Sequence, residues 1–186
     1  MDASQAFATL RAARLGFAVA GWVLTAAAAL PAGAQVLTSG VTLPLELAHT
    51  AAREAIRACE ADGHRVSASV VDAAGVERAF LRGDHSTIHT RDTAFRKAYT
   101  AVTLGPIFGA ATTGALAEKV GRTPTGPALA SVPNVILLAG GVAIRRGEET
   151  LAALGVGGAP GGALDERCAS AGVAAIQARV EALGRP

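Results

Sequence analysis

The strongest pattern along the chain is an uncharged run from Leu15 to Leu30, LGFAVAGWVLTAAAAL. Arg11 and Arg14 precede it, Pro31 breaks it, and Ala32-Gly33-Ala34 follows with small residues. A positive start, an apolar middle and a small-residue end make an export signal over residues 1–34, cleaved before Gln35. The alternative is an uncleaved anchor, but the run is short of the ~20 residues that a spanning helix needs. The mature chain is therefore expected in the periplasm or outside the cell.

Residues 35–41 read as a short flexible start, after which the periodicity turns helical. Thr42 suits an N-cap, Pro44 the first turn and Glu46 the positive end of the dipole, and Gly63 suits the residue after a helix ending near Asp62. Residues 66–71 alternate, with Val66, Ala68 and Val70 on one face and Ser67 and Ser69 on the other, which is strand periodicity. Asp72-Ala73-Ala74-Gly75 turns the chain into a second strand over 76–82. A polar loop, GDHSTI, leads to a second helix from His89 to Leu104, where Gly105-Pro106 is expected to stop it. Thr112 or Thr113 caps a short helix through Val120, and 121–127 is a loop. Strands are expected over 132–139, 142–146 and 150–156, then a glycine-rich loop over 157–162 and a closing helix over 163–183. The sum is a single α+β domain over 42–186, an antiparallel sheet of about five strands covered by helices.

The composition is 51% hydrophobic but only 4% aromatic, with 22 glycines. A core of small side chains buries little area per residue, so elements must approach closely and a homo-oligomer would help. The formal charge of +2 falls to about +1 once Arg11, Arg14 and Asp2 leave with the signal. No basic stripe interleaved with aromatics suggests nucleic acid, and no later run is long enough to cross a membrane. Cys59 and Cys168 stand outside any CxxC. Each falls on an apolar helical stripe, Cys59 with Leu45, Ala48, Ala52 and Ile56, Cys168 with Leu164, Ala171 and Ala175. Two readings remain: small buried side chains, or a disulfide joining the first and last helices, which an oxidising compartment allows.

The second helix carries the best candidate chemistry. His89, Thr93, Arg96, Lys97 and Thr100 recur at helical spacing as one polar stripe, opposite Ala94, Ala98 and Ala101, with Phe95, Tyr99 and Val102 beside them. An imidazole, two cations and two hydroxyls suit an anionic ligand, and Lys97 is expected to line an enclosed cavity that attracts negative charge. A solvated helix face is the plainer alternative. The run Gly155 to Gly162 invites a nucleotide reading, but Pro160 stands where a third glycine belongs and no GK[ST] is present. Close packing remains, or a carboxylate pocket lined by the amides of Gly157, Gly158 and Gly161. His49, His64, His85 and His89 form no HExxH, so structural zinc is unsupported, while a single donor to haem iron stays open. No GxSxG or paired carboxylates appear, so no catalytic residue is assigned and enzymatic activity is left open.

Several segments are familiar. Val70-Val71-Asp72-Ala73-Ala74-Gly75 resembles the "VVDaaG" of the GlcG/HbpS haem-binding family. Asp92-Thr93-Ala94 with Arg96-Lys97-Ala98-Tyr99-Thr100-Ala101 is similar to its "A-x-x-KAyTA" helix. Pro133 to Ile144 resembles its "lpGGvPi" segment, and Leu154-Gly155-Val156 through Gly161-Gly162 and Asp165 to Cys168 its "iGVSGapgg-xDeaCA" ending. The likeness covers about residues 42–180. It implies a profilin-like three-layer α/β/α sandwich around a five-stranded antiparallel sheet, and assembly into dimers or larger oligomers. It also implies haem as the ligand of some members, with sequestration or degradation of haem proposed for exported ones. Gly157 departs from the family's serine, and Gly83-Asp84-His85-Ser86 replaces its "mdGa", adding a histidine. The resulting expectation is an exported haem-binding protein. His89 or Thr100 would donate to the iron or orient the porphyrin, and Arg96 and Lys97 would pair with propionates. The alternatives are a periplasmic binder or enzyme for a small organic acid, and an accessory oligomeric partner of a periplasmic redox enzyme.

Overall fold

Helix α1 (Leu45–Ala61) buries Leu47, Ala48, Ala51, Ala52, Ala55, Ile56 and Cys59, a stripe at helical spacing. The structure, a computed structural model, describes residues 40–184; the expected export signal and residues 35–39 lie outside the described residues. The helix starts two residues later than Thr42 suggests. Pro44 is the N-cap, and its carbonyl accepts from the N–H groups of Leu47 and Ala48. Leu45, assigned above to the buried stripe, is 59% exposed. The C-terminus follows expectation, with Gly63 at φ +80° just beyond the Asp62 cap.

The sheet contains β1 (Ser67–Asp72), β2 (Glu77–Arg82), β3 (Gly141–Arg146) and β4 (Glu149–Gly157), in the order β2-β1-β4-β3 with every pair antiparallel. Among the described residues it has four strands, not the five expected. The segment 132–139 is not a strand, because Pro133 lacks a donor, Asn134 sits at φ +65° and the side chains of Arg96 and Thr100, far earlier in the chain, take its backbone groups. Arg96 Nη2 donates to Val135 O at 2.6 Å, and Ile136 N–H donates to Thr100 Oγ1 at 2.9 Å. The outer edge of β3 meets Ala111 instead, whose carbonyl accepts from Ala143 N–H at 2.9 Å.

The remaining helices are α2 (Thr90–Phe108), α3 (Thr113–Val120), α4 (Gly126–Ala130), α5 (Gly162–Ala174) and α6 (Gln177–Glu181). Helix α2 continues through Gly105-Pro106 and ends at Gly109. Pro106 removes one helical hydrogen bond, and Gly105 leaves room for the chain to return, with Ala110 N–H bonding Gly105 O at 2.9 Å. Thr112 caps α3 by accepting from Ala115 N–H. Helix α4 lies where a loop is expected, and the closing helix breaks at Ala175-Ile176, which turns Ile176 and Val180 into the core.

Both faces of the sheet are covered. Val66, Ala68, Val70, Ala152, Leu154 and Val156 face α1 and α5, while Val71 and Ala153 face Ala98, Ala101 and Val102 of α2. Ser67 and Ser69 therefore point into a buried layer, not into water. Along β4 the positions facing α2 are Ala153, Gly155 and Gly157. A side chain on Gly155 would collide with Ala94 O and Ala98 N, and one on Gly157 with Thr93 Oγ1. The two glycines let α2 lie directly on the strand. On the other side, Cys59 and Cys168 form a disulfide between α1 and α5, with Cα atoms 5.4 Å apart. The buried stripe of α5 is Cys168, Ala169, Gly172 and Val173; Ala171 and Ala175, assigned to it above, are exposed. Among the described residues no helix is long and apolar enough to cross a membrane.

Candidate ligand site at the start of helix α2

The polar stripe expected on α2 does not gather around one cavity. Lys97 is 3% exposed, and its ammonium donates to Asp165 Oδ2 at 2.6 Å, the two side chains each 4% exposed. Asp165 Oδ1 accepts from Ala159 N–H at 3.0 Å. The expected role of Lys97 is thus corrected: its charge is neutralised inside the protein, tying α2 to the start of α5. Two opposite charges withdrawn from water hold together only when paired and hydrogen-bonded, as here. Thr100 is fully buried and occupied by Ile136 N–H. Thr93 turns its hydroxyl back on the helix, towards Thr90 O at 3.2 Å and His89 O at 3.4 Å.

The expected glycine pocket is likewise taken up by packing. Gly157 is buried against Thr93. Gly158, at φ +135°, lies against the backbone of Arg65 and Val66, a conformation and an approach that exclude a side chain. Gly161 is exposed and serves as the N-cap of α5, its carbonyl accepting from Leu164 N–H at 3.0 Å. The one loop amide between them that carries a side-chain acceptor, Ala159 N–H, faces Asp165.

Arg96 and His89 remain available. Arg96 lines a cleft of about 360 Å³ with Glu77, Arg91, Asp92, Phe95 and Asn134. One of its nitrogens holds Val135 O, while its buried Nε has no partner. Arg91 lies over the Phe80 ring at 5.5 Å and 3.9 Å from Glu77 Oε2. Glu77 Oε1 in turn accepts from Ser69 Oγ at 2.8 Å. Phe95 supplies an aromatic wall and stacks obliquely on Tyr99 at 5.8 Å between ring centroids. The cleft therefore offers two guanidiniums, two carboxylates, an amide and an apolar ring.

His89 is the N-cap of α2. That position favours a small side chain that accepts from the first free N–H groups, yet the imidazole makes no capping bond and is exposed. It stands one and two helical turns before Asp92 and Arg96, on the same face. Arg91, Glu77 and Asn134 are not in the expected site. Arg91 lies off the helical stripe of 89, 93, 96 and 100, and Glu77 and Asn134 each fall in an expected strand. The clue at Asn134 is its proline neighbour. A second, wider groove of about 640 Å³ runs between α1 and β2, lined by Leu45, Glu46, His49, Arg78, Ala79, Phe80 and Leu81. Among the described residues no cluster of three or more His, Cys, Asp and Glu side chains is arranged to hold a metal ion.

Comparison with known proteins gives one consistent set of relatives. The family model described as "Haem degrading protein HbpS-like" matches residues 43–174. A crystal structure of HbpS is 41% identical, covers 75% of this chain and 94% of its own, and superposes with a TM-score of 0.67. A double mutant of Streptomyces reticuli HbpS gives the same identity and TM-score, with 81% of this chain and 98% of its own covered. The structure of a PduOC:haem complex is 27% identical, covers 73% of this chain and 96% of its own, and has a TM-score of 0.65. No curated protein sequence matches.

Proposed function

The chain belongs to the HbpS-like family, and on that footing we propose that it is an exported haem-binding protein that holds haem beside the first turns of α2. The observation that carries the proposal is the cleft at Arg91, Phe95 and Arg96, with the exposed, uncapped imidazole of His89 one helical turn before its first α2 residues. The residues fit the group. Two guanidiniums match two propionates, and charge-assisted pairs of this kind are the strong ones. The Phe95 ring suits a flat apolar face, and a neutral imidazole is a common donor to haem iron. Bound haem would supply the iron for redox and ligand chemistry. The chain's own part is to bind the carboxylates, orient the ring and present His89. A PduOC:haem complex on a related fold supports the ligand class.

Titrating hemin into the mature protein, Gln35 to Pro186, is expected to shift and sharpen the Soret band at one equivalent. Replacing Arg91 and Arg96 together by alanine is expected to weaken that binding. Absence of any spectral change counts against the proposal. A second reading is favoured by the small volume of the cleft, near the lower end for ligand pockets. In it the same arginines hold a small organic acid, with Asn134 as a further donor. A thermal-shift series of small carboxylates without hemin separates the two.

Export, oligomerisation and a profilin-like descent of the fold belong to the same proposal. The Cys59–Cys168 bond supports an oxidising compartment. The core of small side chains, which buries little area per residue, supports assembly with further copies of the chain. The mass of the secreted protein, expected to begin at Gln35, and its light-scattering mass test the first two.

A further inference from the structure

The loop that delivers His89 stands on buried hydroxyls that the binding account leaves unused. Ser67 Oγ lies 2.8 Å from Thr90 Oγ1 and 3.1 Å from Ser86 Oγ, and all three residues are buried. Thr90 Oγ1 donates its single proton to Thr87 O at 2.6 Å. Because a hydroxyl has only one proton, Ser67 must then donate to Thr90, and Ser86 to Ser67. The chain of bonds thus runs in one direction, Ser86 to Ser67 to Thr90 to Thr87 O. Its middle member sits on β1, an interior strand. Arg82 closes the other end, donating through Nε and Nη2 to Ser86 O at 3.1 and 2.6 Å. Backbone bonds from Ser86 N–H to Gly83 O and from Thr90 N–H to Thr87 O complete the turn.

Residues 86, 87 and 90 are therefore tied to the sheet, while Ile88, 77% exposed, and the exposed His89 between them are not. A fully satisfied buried network of this kind rigidifies what it holds. We propose that Ser67, Ser86 and Thr90 are positioning residues that fix the backbone at His89 and so the point from which its imidazole projects. This rests on the haem reading above and adds the device that makes a loop histidine a defined donor.

The test is a double-mutant cycle on hemin affinity and on the ferric Soret and spin-state spectrum. Ser67→Ala is expected to weaken hemin binding about 5- to 10-fold, the equivalent of one lost buried hydrogen bond. Its spectrum is expected to move towards that of His89→Ala. The double variant is expected to bind no worse than His89→Ala alone, because both changes remove one interaction. Ser86→Ala removes the first link from the loop side and repeats the cycle should Ser67→Ala not fold. Losses that multiply, a Ser67→Ala spectrum identical to wild type, or full affinity in His89→Ala each overturn the inference. Absence of any hemin binding by the wild-type protein overturns the haem reading itself.

Discussion

Replacing Lys97 by methionine separates a structural role for this residue from a ligand role. Lys97 and Asp165 are each 4% exposed at the side chain and 2.6 Å apart. The methionine fills much of the lysine's volume but leaves the Asp165 carboxylate buried, with Ala159 N–H as its remaining partner. Removing one member of a buried pair costs about 3–5 kcal/mol, because the other charge stays behind without its counterion. For a domain of this size each kcal/mol lowers the melting temperature by about 2–4 °C, so a fall of roughly 6–20 °C is expected. Adding Asp165→Leu removes the stranded charge and is expected to recover most of the loss. Hemin affinity, measured well below the melting point, is expected to stay near that of wild type. Thermal melts followed by circular dichroism and a hemin titration on the same samples give both numbers. A variant with wild-type melting and greatly weakened hemin binding would refute the reasoning, since Lys97 would then be meeting the ligand and not Asp165.

Reduction of Cys59–Cys168, or the double alanine variant, is expected to lower stability in urea by up to about 5 kcal/mol, from the chain entropy released when a loop of 109 residues opens; an unchanged midpoint would show that the bond does not form. Gly155→Ala places a methyl group against the backbone of Ala94 and Ala98 and is expected to cost about 1–3 kcal/mol or more as α2 lifts from β4, read from the same urea curves. The neighbouring Gly161→Ala, with no atom within reach of the added carbon, is expected to be far milder.

Much of the fold is legible in the sequence, and the misreadings have local causes. Alternation over 66–71, the Asp72 to Gly75 turn and the helical stripe of α1 depend on short-range preferences, and the structure has all three. The turn is secured by Asp72 Oδ1, which accepts from the N–H groups of Ala74 and Val76. The segment 132–139 has the apolar content of a strand, but whether it joins a sheet depends on partners far away in the chain. Arg96 and Thr100 provide other ones. The site was harder still. A stripe at helical spacing cannot distinguish a lysine that faces a ligand from one that faces an aspartate 68 positions later. The glycines at 155 and 157 look like an anion loop because the same absence of side chains that admits a phosphate also admits a helix.

The most direct test of the central claim is the position of the iron in crystals of the protein grown with hemin, located by its anomalous scattering. Iron is expected within bonding distance of the His89 imidazole, with propionates against Arg91 and Arg96. Iron in the groove between α1 and β2, beside His49 and Arg78, would contradict it.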